Sequence, residues 1–184
     1  MNHHIRTSFG LSSESMNKLN TLSPFQGILQ GNGASPTTWV LISVPLLNML
    51  RSQGHGAKFL SPMSKELTHI VGFAFVDDTN LITFDMFEDE KSWEDLSSCI
   101  QEAINRWEAG LKTSGGAIVP SKSWVYPIDF KFDNKGMYQY KSLNEINQTF
   151  SVLDKDHVQQ NLCCHESSTG KETLGVFLAP DGNN

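Results

Sequence analysis

Two β-rich runs joined by a pair of aspartates constrain the fold of this chain most strongly. Residues 69–76 (HIVGFAFV) and 79–84 (TNLITF) are rich in strand-forming residues, and only Asp77 and Asp78 separate them. Two such runs around a two-residue polar turn predict an antiparallel β-hairpin. Aspartate is common in turns that point into water, whereas two adjacent carboxylates also suit a hard cation such as Mg²⁺. The pair alone leaves an ordinary turn and a cation site both open.

A helix is predicted before this hairpin. Ser35 followed by Pro36 is typical of a helix start, because serine caps the first turn and proline needs no hydrogen bond there. The apolar run 39–50 continues the pattern. Pro45 lies inside that run, and it predicts a kink or a break because it lacks the N–H that a helix interior needs.

A second helix is predicted after the hairpin. Apolar residues recur at three- and four-residue steps from Leu96 to Leu111, which is the stripe of an amphipathic helix. We expect this helix to span roughly Asp89 to Gly110 and to place Trp107 in the core. An antiparallel hairpin packed on these two helices, which would lie behind it, predicts the α+β class.

Composition narrows the class of protein further. The 184 residues are 39% hydrophobic, and 20 acidic residues against 14 basic ones give a net charge of −6, which argues against a generic nucleic-acid coat. The longest apolar stretch, 39–50, is shorter than the roughly 20 residues of a membrane span. Three cysteines, two of them adjacent, form a poor disulfide framework. We therefore expect an intracellular protein without a membrane partner.

A glycine-rich loop leads into the first helix. The segment 27–36 reads GILQGNGASP, and its glycines would let the backbone approach a ligand closely. Helix N-termini also favour phosphate groups. The segment lacks the Lys-Ser/Thr ending of a P-loop, and a glycine-rich surface loop is an equally good interpretation of it alone.

The order and spacing of these motifs resemble the palm of a reverse transcriptase, in the form found in retrotransposons. Gln30-Gly31, three further residues and Ser35-Pro36 are followed by the segment Phe75-Val76-Asp77-Asp78. The resemblance implies that the first four residues contact template and incoming nucleotide. It also implies that the two aspartates are catalytic and bind Mg²⁺. Phe75 could stack on nucleic acid, with simple packing as the alternative.

Two later segments extend the resemblance. The run 111–116 (LKTSGG), which leads to Lys122, resembles the family segment whose lysine lies near the departing pyrophosphate. Residues 174–176 (LGV) resemble the Leu-Gly strand of the primer-grip region. The best-matching core is therefore 25–122, followed by a polar insertion at 133–172 and a terminal strand at 173–178.

One family feature is missing from the sequence. The third catalytic acid of the family lies before the Gln-Gly loop in an Asp-x-x-x-x-aromatic pattern, but residues 1–24 contain no aspartate, and Glu14 is their only acid. We expect a partial palm without its first catalytic strand. Such a fragment would be inactive alone, and the missing N-terminal part would be a candidate partner.

The resemblance implies an RNA-directed DNA polymerase, or reverse transcriptase, that uses an RNA template, a DNA primer and deoxynucleotides. Its chemistry would be nucleotidyl transfer assisted by two Mg²⁺ ions. Three alternatives stay open: a viral RNA-dependent RNA polymerase, which typically has glycine in place of Val76, a noncatalytic nucleic-acid-binding remnant, and a nonfunctional remnant. A zinc site at residues 163–165 is not expected, because Cys-Cys-His is consecutive rather than spaced.

Overall fold

The computed structural model describes residues 3–7, 10–16, 34–75, 78–84, 92–154, 156–173 and 176–182 of the chain. The α+β class is confirmed, since helices and small sheets alternate through these ranges. The helices are α1 (Ser35–Ser52), α2 (Trp93–Thr113) and α3 (Leu143–Ile146). The strands are β1 (His3–Thr7), β2 (Gly10–Met16), β3 (Ala57–Leu60), β4 (Leu67–Ile70), β5 (Gly72–Phe75), β6 (Asp78–Leu81), β7 (Trp124–Val125), β8 (Phe130–Phe132), β9 (Tyr138–Tyr140), β10 (Phe150–Leu153), β11 (Gln159–Cys164), β12 (Lys171–Thr173) and β13 (Val176–Leu178).

The chain divides into two compact units, Met1–Trp39 and Val40–Asn184. In the first unit, β1 and β2 pair as an antiparallel hairpin. In the second unit, the neighbouring strands β3–β4, β5–β6, β8–β9 and β12–β13 form four antiparallel pairs. A three-stranded sheet has the order β10-β11-β7, in which β11 is antiparallel to β10 and parallel to β7.

Helix α1 runs through Pro45 without interruption, so the helix does not break there. Pro45 itself is exposed, whereas its neighbours Leu46 and Leu50 are buried. Burial of apolar side chains supplies most helix stability in proteins. It offsets the hydrogen bond that the proline cannot make.

Helix α2 begins four residues later than the expected Asp89, at Trp93. The Ser92 hydroxyl accepts a hydrogen bond from the Asp95 backbone N–H at 3.2 Å, and the Asp95 carboxylate accepts one from the Ser92 N–H at 3.2 Å. This reciprocal capping box satisfies two N–H groups that a helix start otherwise leaves without partners. It therefore fixes the first turn at this position.

The end of α2 also differs from the expectation, because the helix passes through Gly110 and stops at Thr113. A Cβ atom on Gly110 would overlap the Leu46 side chain, so the missing side chain lets α2 lie close to α1. The glycine therefore serves packing rather than termination. The predicted apolar stripe is confirmed, since Trp107 and Leu111 are both buried.

A hydrophobic core of the second unit lies between α2 and the three-stranded sheet. Phe150, Val152 and Leu162 are its buried centre. The partly buried side chains around them are Ile100, Ile104, Ile118, Val125 and Cys164. Residues 133–172, expected as a polar insertion, thus contain β9, α3, β10 and β11 and supply the buried centre of this core. Helix α2, expected behind the Asp-bearing hairpin, makes its main strand contact with β10.

Helix α2 also covers the free edge of β10. The Gln101 carboxamide donates to the Ser151 carbonyl oxygen at 2.8 Å and accepts from the Ser151 N–H at 2.9 Å. Seven residues along the helix, the Glu108 carboxylate accepts from the Leu153 N–H at 3.0 Å. Its other oxygen lies 2.6 Å from the Lys112 ammonium. These contacts occupy backbone groups that an open strand edge would offer to another chain.

Candidate metal-binding hairpin

The Asp-bearing hairpin is the antiparallel pair β5–β6, as predicted. The register places Phe75 opposite Asp78. Asp78 is the first residue of β6 instead of the second residue of the turn. The predicted start of the second strand, Thr79, was therefore wrong by one residue, because residue preferences alone do not fix the register. Asp77 and Val76 lie outside the described residues.

The base of the hairpin is set by Val71 and Gly72. The run 69–76 is not one strand, because β4 pairs with β3 and β5 pairs with β6, with Val71 between them. Val71 is only 3% exposed, and its carbonyl oxygen accepts a hydrogen bond from the Ile82 N–H at 2.8 Å. A Cβ atom on Gly72 would overlap the carbonyl oxygen of Asn80. This glycine therefore allows β5 and β6 to close at their base.

A second glycine, Gly56, lies close to the backbone of β4, the strand directly before the hairpin. Gly56 has a φ of +108°, and a Cβ atom there would lie 2.6 Å from the Ile70 carbonyl oxygen. The His69 ring nitrogen Nε2 lies 2.7 Å from the His55 carbonyl oxygen, to which its N–H donates. Because a side chain at position 56 would push β4 away, we infer that glycine is required to hold the strand that leads into β5.

One face of the hairpin presents aromatic and acidic side chains to solvent. The register and the alternation of strand side chains put Phe73, Phe75, Asp78 and Asn80 on the same face. All four are exposed, and the two phenylalanines are each 60% exposed. Within the described residues, no hydrogen bond or ion pair reaches the Asp78 carboxylate. Its oxygens are therefore accessible to a ligand from solvent.

The remaining candidate residues lie in several places. Ser35 and Pro36 open α1, in the first unit, as the sequence predicted. Lys122 ends a short 3₁₀ turn and is exposed in the second unit. Gln30 and Gly31 fall outside the described residues. The same is true of Leu174 and Gly175, so the expected terminal strand 173–178 is described only as the end of β12 and the whole of β13.

Among the described residues, no three His, Cys, Asp or Glu side chains come together in a way that could hold a metal ion. In β11, Cys164 packs on the core and Cys163 is exposed, because adjacent strand residues project to opposite faces. Burial, followed by the nearby charge of Cys163, raises the pKa of the Cys164 thiol.

Three residues that support this architecture were missed at the level of sequence. Gly72 had a readable signal, since an isolated glycine in a strand pattern indicates a close backbone approach. Ser92 also had one, because Ser-x-x-Asp before an apolar run is a capping-box pattern. Gln101 had none, since its partner Ser151 is fifty residues away.

None of the helices within the described ranges has both the length and the apolar character needed to cross a membrane. No family model, curated protein or solved structure matches the chain.

Proposed function

We propose that this chain is part of an RNA-directed DNA polymerase of the reverse-transcriptase type, and that its β5–β6 hairpin contributes two carboxylates to nucleotidyl transfer. The position of Asp78 carries the proposal. Aspartate is unfavourable in strands, yet Asp78 occupies the first ladder position of β6 opposite an exposed phenylalanine. Within the described residues its carboxylate has no structural partner that would explain it.

The order of elements supports the same interpretation. Helix α1 begins at the Ser35-Pro36 pair, the hairpin follows, and α2 follows the hairpin. This is the order in which the resembled palm carries its nucleotide-contacting helix and its metal-binding hairpin. Phe75 is exposed beside Asp78, so its ring is accessible for stacking on a base or sugar.

The donor set suits Mg²⁺, which takes hard oxygen ligands. Asp77 and Asp78 would hold the ion, and bound Mg²⁺ would polarise phosphate oxygens and lower the pKa of the attacking hydroxyl. Two carboxylates leave further positions of an octahedral ion for water, phosphate oxygens and a third acid. The sequence contains no aspartate before Asp77, so we expect this chain alone not to extend a primer.

The test is binding of a fluorescently labelled RNA template–DNA primer, followed by anisotropy. We expect Mg²⁺ with the complementary deoxynucleotide to tighten binding by the chain at least about fivefold, equivalent to about 1 kcal/mol. Asp77→Asn and Asp78→Asn should each remove this increase. Asp156→Asn is the matched control, because it neutralises an acid in the β10–β11 turn.

Either of two results would contradict the proposal. One is a template–primer affinity that does not change with Mg²⁺, and the other is an equal Mg²⁺-dependent increase in Asp78→Asn and Asp156→Asn. Both would favour a noncatalytic nucleic-acid-binding protein. Primer extension is measured in parallel. Extension that disappears in Asp78→Asn would support the role of the hairpin, and it would show that a third carboxylate comes from elsewhere in these residues.

A further inference from the structure

A cluster of aromatic and basic side chains lies on the outer face of the β10-β11-β7 sheet. Val125 and Cys164 are paired in register across β7 and β11, and both pack against the core. The preceding pair, Trp124 and Cys163, therefore projects from the opposite face. This places the indole of Trp124 away from the core, at the margin of the sheet.

Three further side chains join Trp124. The Lys171 ammonium lies 5.9 Å from the centroid of the Trp124 ring, a cation–π distance. The Tyr126 and His165 rings are tilted by 49°, with centroids 6.0 Å apart. The Tyr126 hydroxyl donates to the Thr169 carbonyl oxygen at 2.8 Å, which ties the segment before β12 to β7. The cluster is thus built from three separate strands and their flanking residues.

The charge of this cluster is not balanced by acids. Within the described part of the chain, Lys171 forms no ion pair, whereas Lys112, Lys131 and Lys141 each pair with a carboxylate. Burial, followed by the positive charge of Lys171, lowers the pKa of His165. Lys171 is half-buried, and its unpaired positive charge acts on His165, so the site is net positive and favours an anionic ligand.

The carboxylates closest along the chain do not neutralise the site. One Glu166 oxygen accepts the Leu143 N–H at 2.9 Å, so this side chain is directed to the start of α3. Glu172 follows Lys171 in β12, where successive side chains point to opposite faces, and it is exposed. Neither residue forms an ion pair with Lys171 within the described residues.

We propose that Trp124, Tyr126, His165 and Lys171 form a contact site for single-stranded nucleic acid, in which Lys171 binds a phosphodiester and the aromatic rings contact the adjacent base. The nucleic-acid partner rests on the proposed function, but this contact needs no metal and is separate from Asp78. Proteins that bind single-stranded nucleic acid without sequence preference use basic groups for the backbone and aromatic side chains for the bases. The cation–π contact holds Lys171 in place before a ligand arrives.

The experiment measures binding of a single-stranded oligonucleotide in EDTA at several salt concentrations. A phosphate contact contributes about 0.7 to the slope of log affinity against log salt for single strands. We expect Lys171→Gln to reduce the magnitude of the slope by about that amount. Lys135→Gln, at the exposed β8–β9 turn, should leave the slope unchanged. Trp124→Ala should weaken binding about fivefold or more, because base stacking on an aromatic ring is lost.

Further arms separate the alternatives. Equal slopes for Lys171→Gln and Lys135→Gln would overturn the proposal, as would equal competition by a glutamate-rich peptide or by a free deoxynucleotide. Circular dichroism checks folding, and the Lys171→Gln result decides the matter if Trp124→Ala does not fold. Asp156→Asn, in the β10–β11 turn, should not change binding in EDTA, because this residue belongs neither to the Trp124 cluster nor to the β5–β6 hairpin. Mg²⁺ that does not tighten template–primer binding by the unsubstituted chain would contradict the polymerase proposal. If Lys171→Gln still reduces the salt slope in that case, this site remains supported.

Discussion

The β5–β6 and β10–β11 hairpins each carry two aspartates near the turn, but their carboxylates have different surroundings. In the β10–β11 turn, one Asp154 oxygen accepts the N–H groups of Asp156 and Val158, each at 2.9 Å. The other oxygen accepts from the Gln160 side chain at 3.1 Å. This carboxylate organises its own turn, which is an ordinary reason for aspartate at such a position.

The β5–β6 hairpin gives Asp78 no such structural purpose within the described residues. The two hairpins also differ in burial, since Phe150 in β10 is 1% exposed and Phe75 in β5 is 60% exposed. Thus β10–β11 holds the fold together, and β5–β6 presents side chains to solvent. Two acidic turns that look alike in sequence therefore differ in what their carboxylates contact, which only the fold displays.

The largest contrast should appear when the two phenylalanines are truncated. Phe150→Ala removes a fully buried ring beside Val152 and Leu162, and we expect a loss of about 3–5 kcal/mol in the free energy of unfolding. Phe75→Ala should change it by less than about 0.5 kcal/mol. Urea denaturation measures both. A similar loss for both variants would mean that the β5–β6 face is covered.

The next largest contrast concerns two helix pairs with the same spacing. Glu108→Ala leaves the Leu153 N–H without its acceptor and Lys112 without its partner, so we expect a loss of about 1–3 kcal/mol. Glu102→Ala breaks only the exposed pair with Arg106, which should cost about 0.5 kcal/mol or less. Urea denaturation of the two variants measures this difference. Equal losses in the free energy of unfolding would contradict the covering of the β10 edge by α2.

A local effect is expected from Gly72→Ala. The added methyl would overlap the Asn80 carbonyl oxygen, so β5 and β6 must move apart, at a cost of about 1–3 kcal/mol within the hairpin. Amide hydrogen exchange of Asn80 and Ile82 should accelerate, while exchange in β10 stays unchanged. Ala74→Ser, on a neighbouring position of β5, is the control. Faster exchange in β10 as well would show that the two hairpins are not independent.

The smallest effect is expected from acid. Hydrogen bonds from Lys131 and from the Ser142 N–H and hydroxyl lower the pKa of Glu145 to about 2, against an ordinary value of 4.5. The unfolded chain therefore binds more protons between these values, and the contribution of Glu145 to stability is present above pH 4.5 and lost as the pH falls toward 2. Glu145→Gln should flatten this part of the stability curve, measured by denaturation at pH 5 and pH 3. Equal dependence of stability on pH in the unsubstituted chain and in Glu145→Gln would contradict the lowered pKa of Glu145.

The hairpin and α2 could be predicted because their patterns are local. Alternating strand formers and a three- and four-residue apolar stripe are visible within one window of sequence. The register was not predictable, since pairing across the strands decides whether Asp78 belongs to the turn or to β6. The motif identified Asp78 as a candidate residue, but it did not predict which groups surround the carboxylate.

The core of the second unit was not predictable from local pattern. Strand β11 reads QQNLCC, in which three of six residues are polar, and β10 is only four residues long. Their burial depends on α2, whose Gln101 meets Ser151 from fifty residues away. The Trp124 cluster was equally hidden, because β7, β11 and β12 bring its members together only in the fold.

The metal-binding assignment of Asp78 is tested by comparing the two acidic turns in one sample. Mn²⁺, a paramagnetic substitute for Mg²⁺, is titrated in the presence of an RNA template–DNA primer and the complementary deoxynucleotide, and amide signals are followed by NMR. We predict that Thr79 and Asn80 broaden at lower Mn²⁺ concentrations than Asp156 and Val158. Asp78→Asn should abolish that difference. Equal broadening at both turns, with or without nucleic acid, would contradict the assignment of β5–β6 as a metal-binding polymerase hairpin.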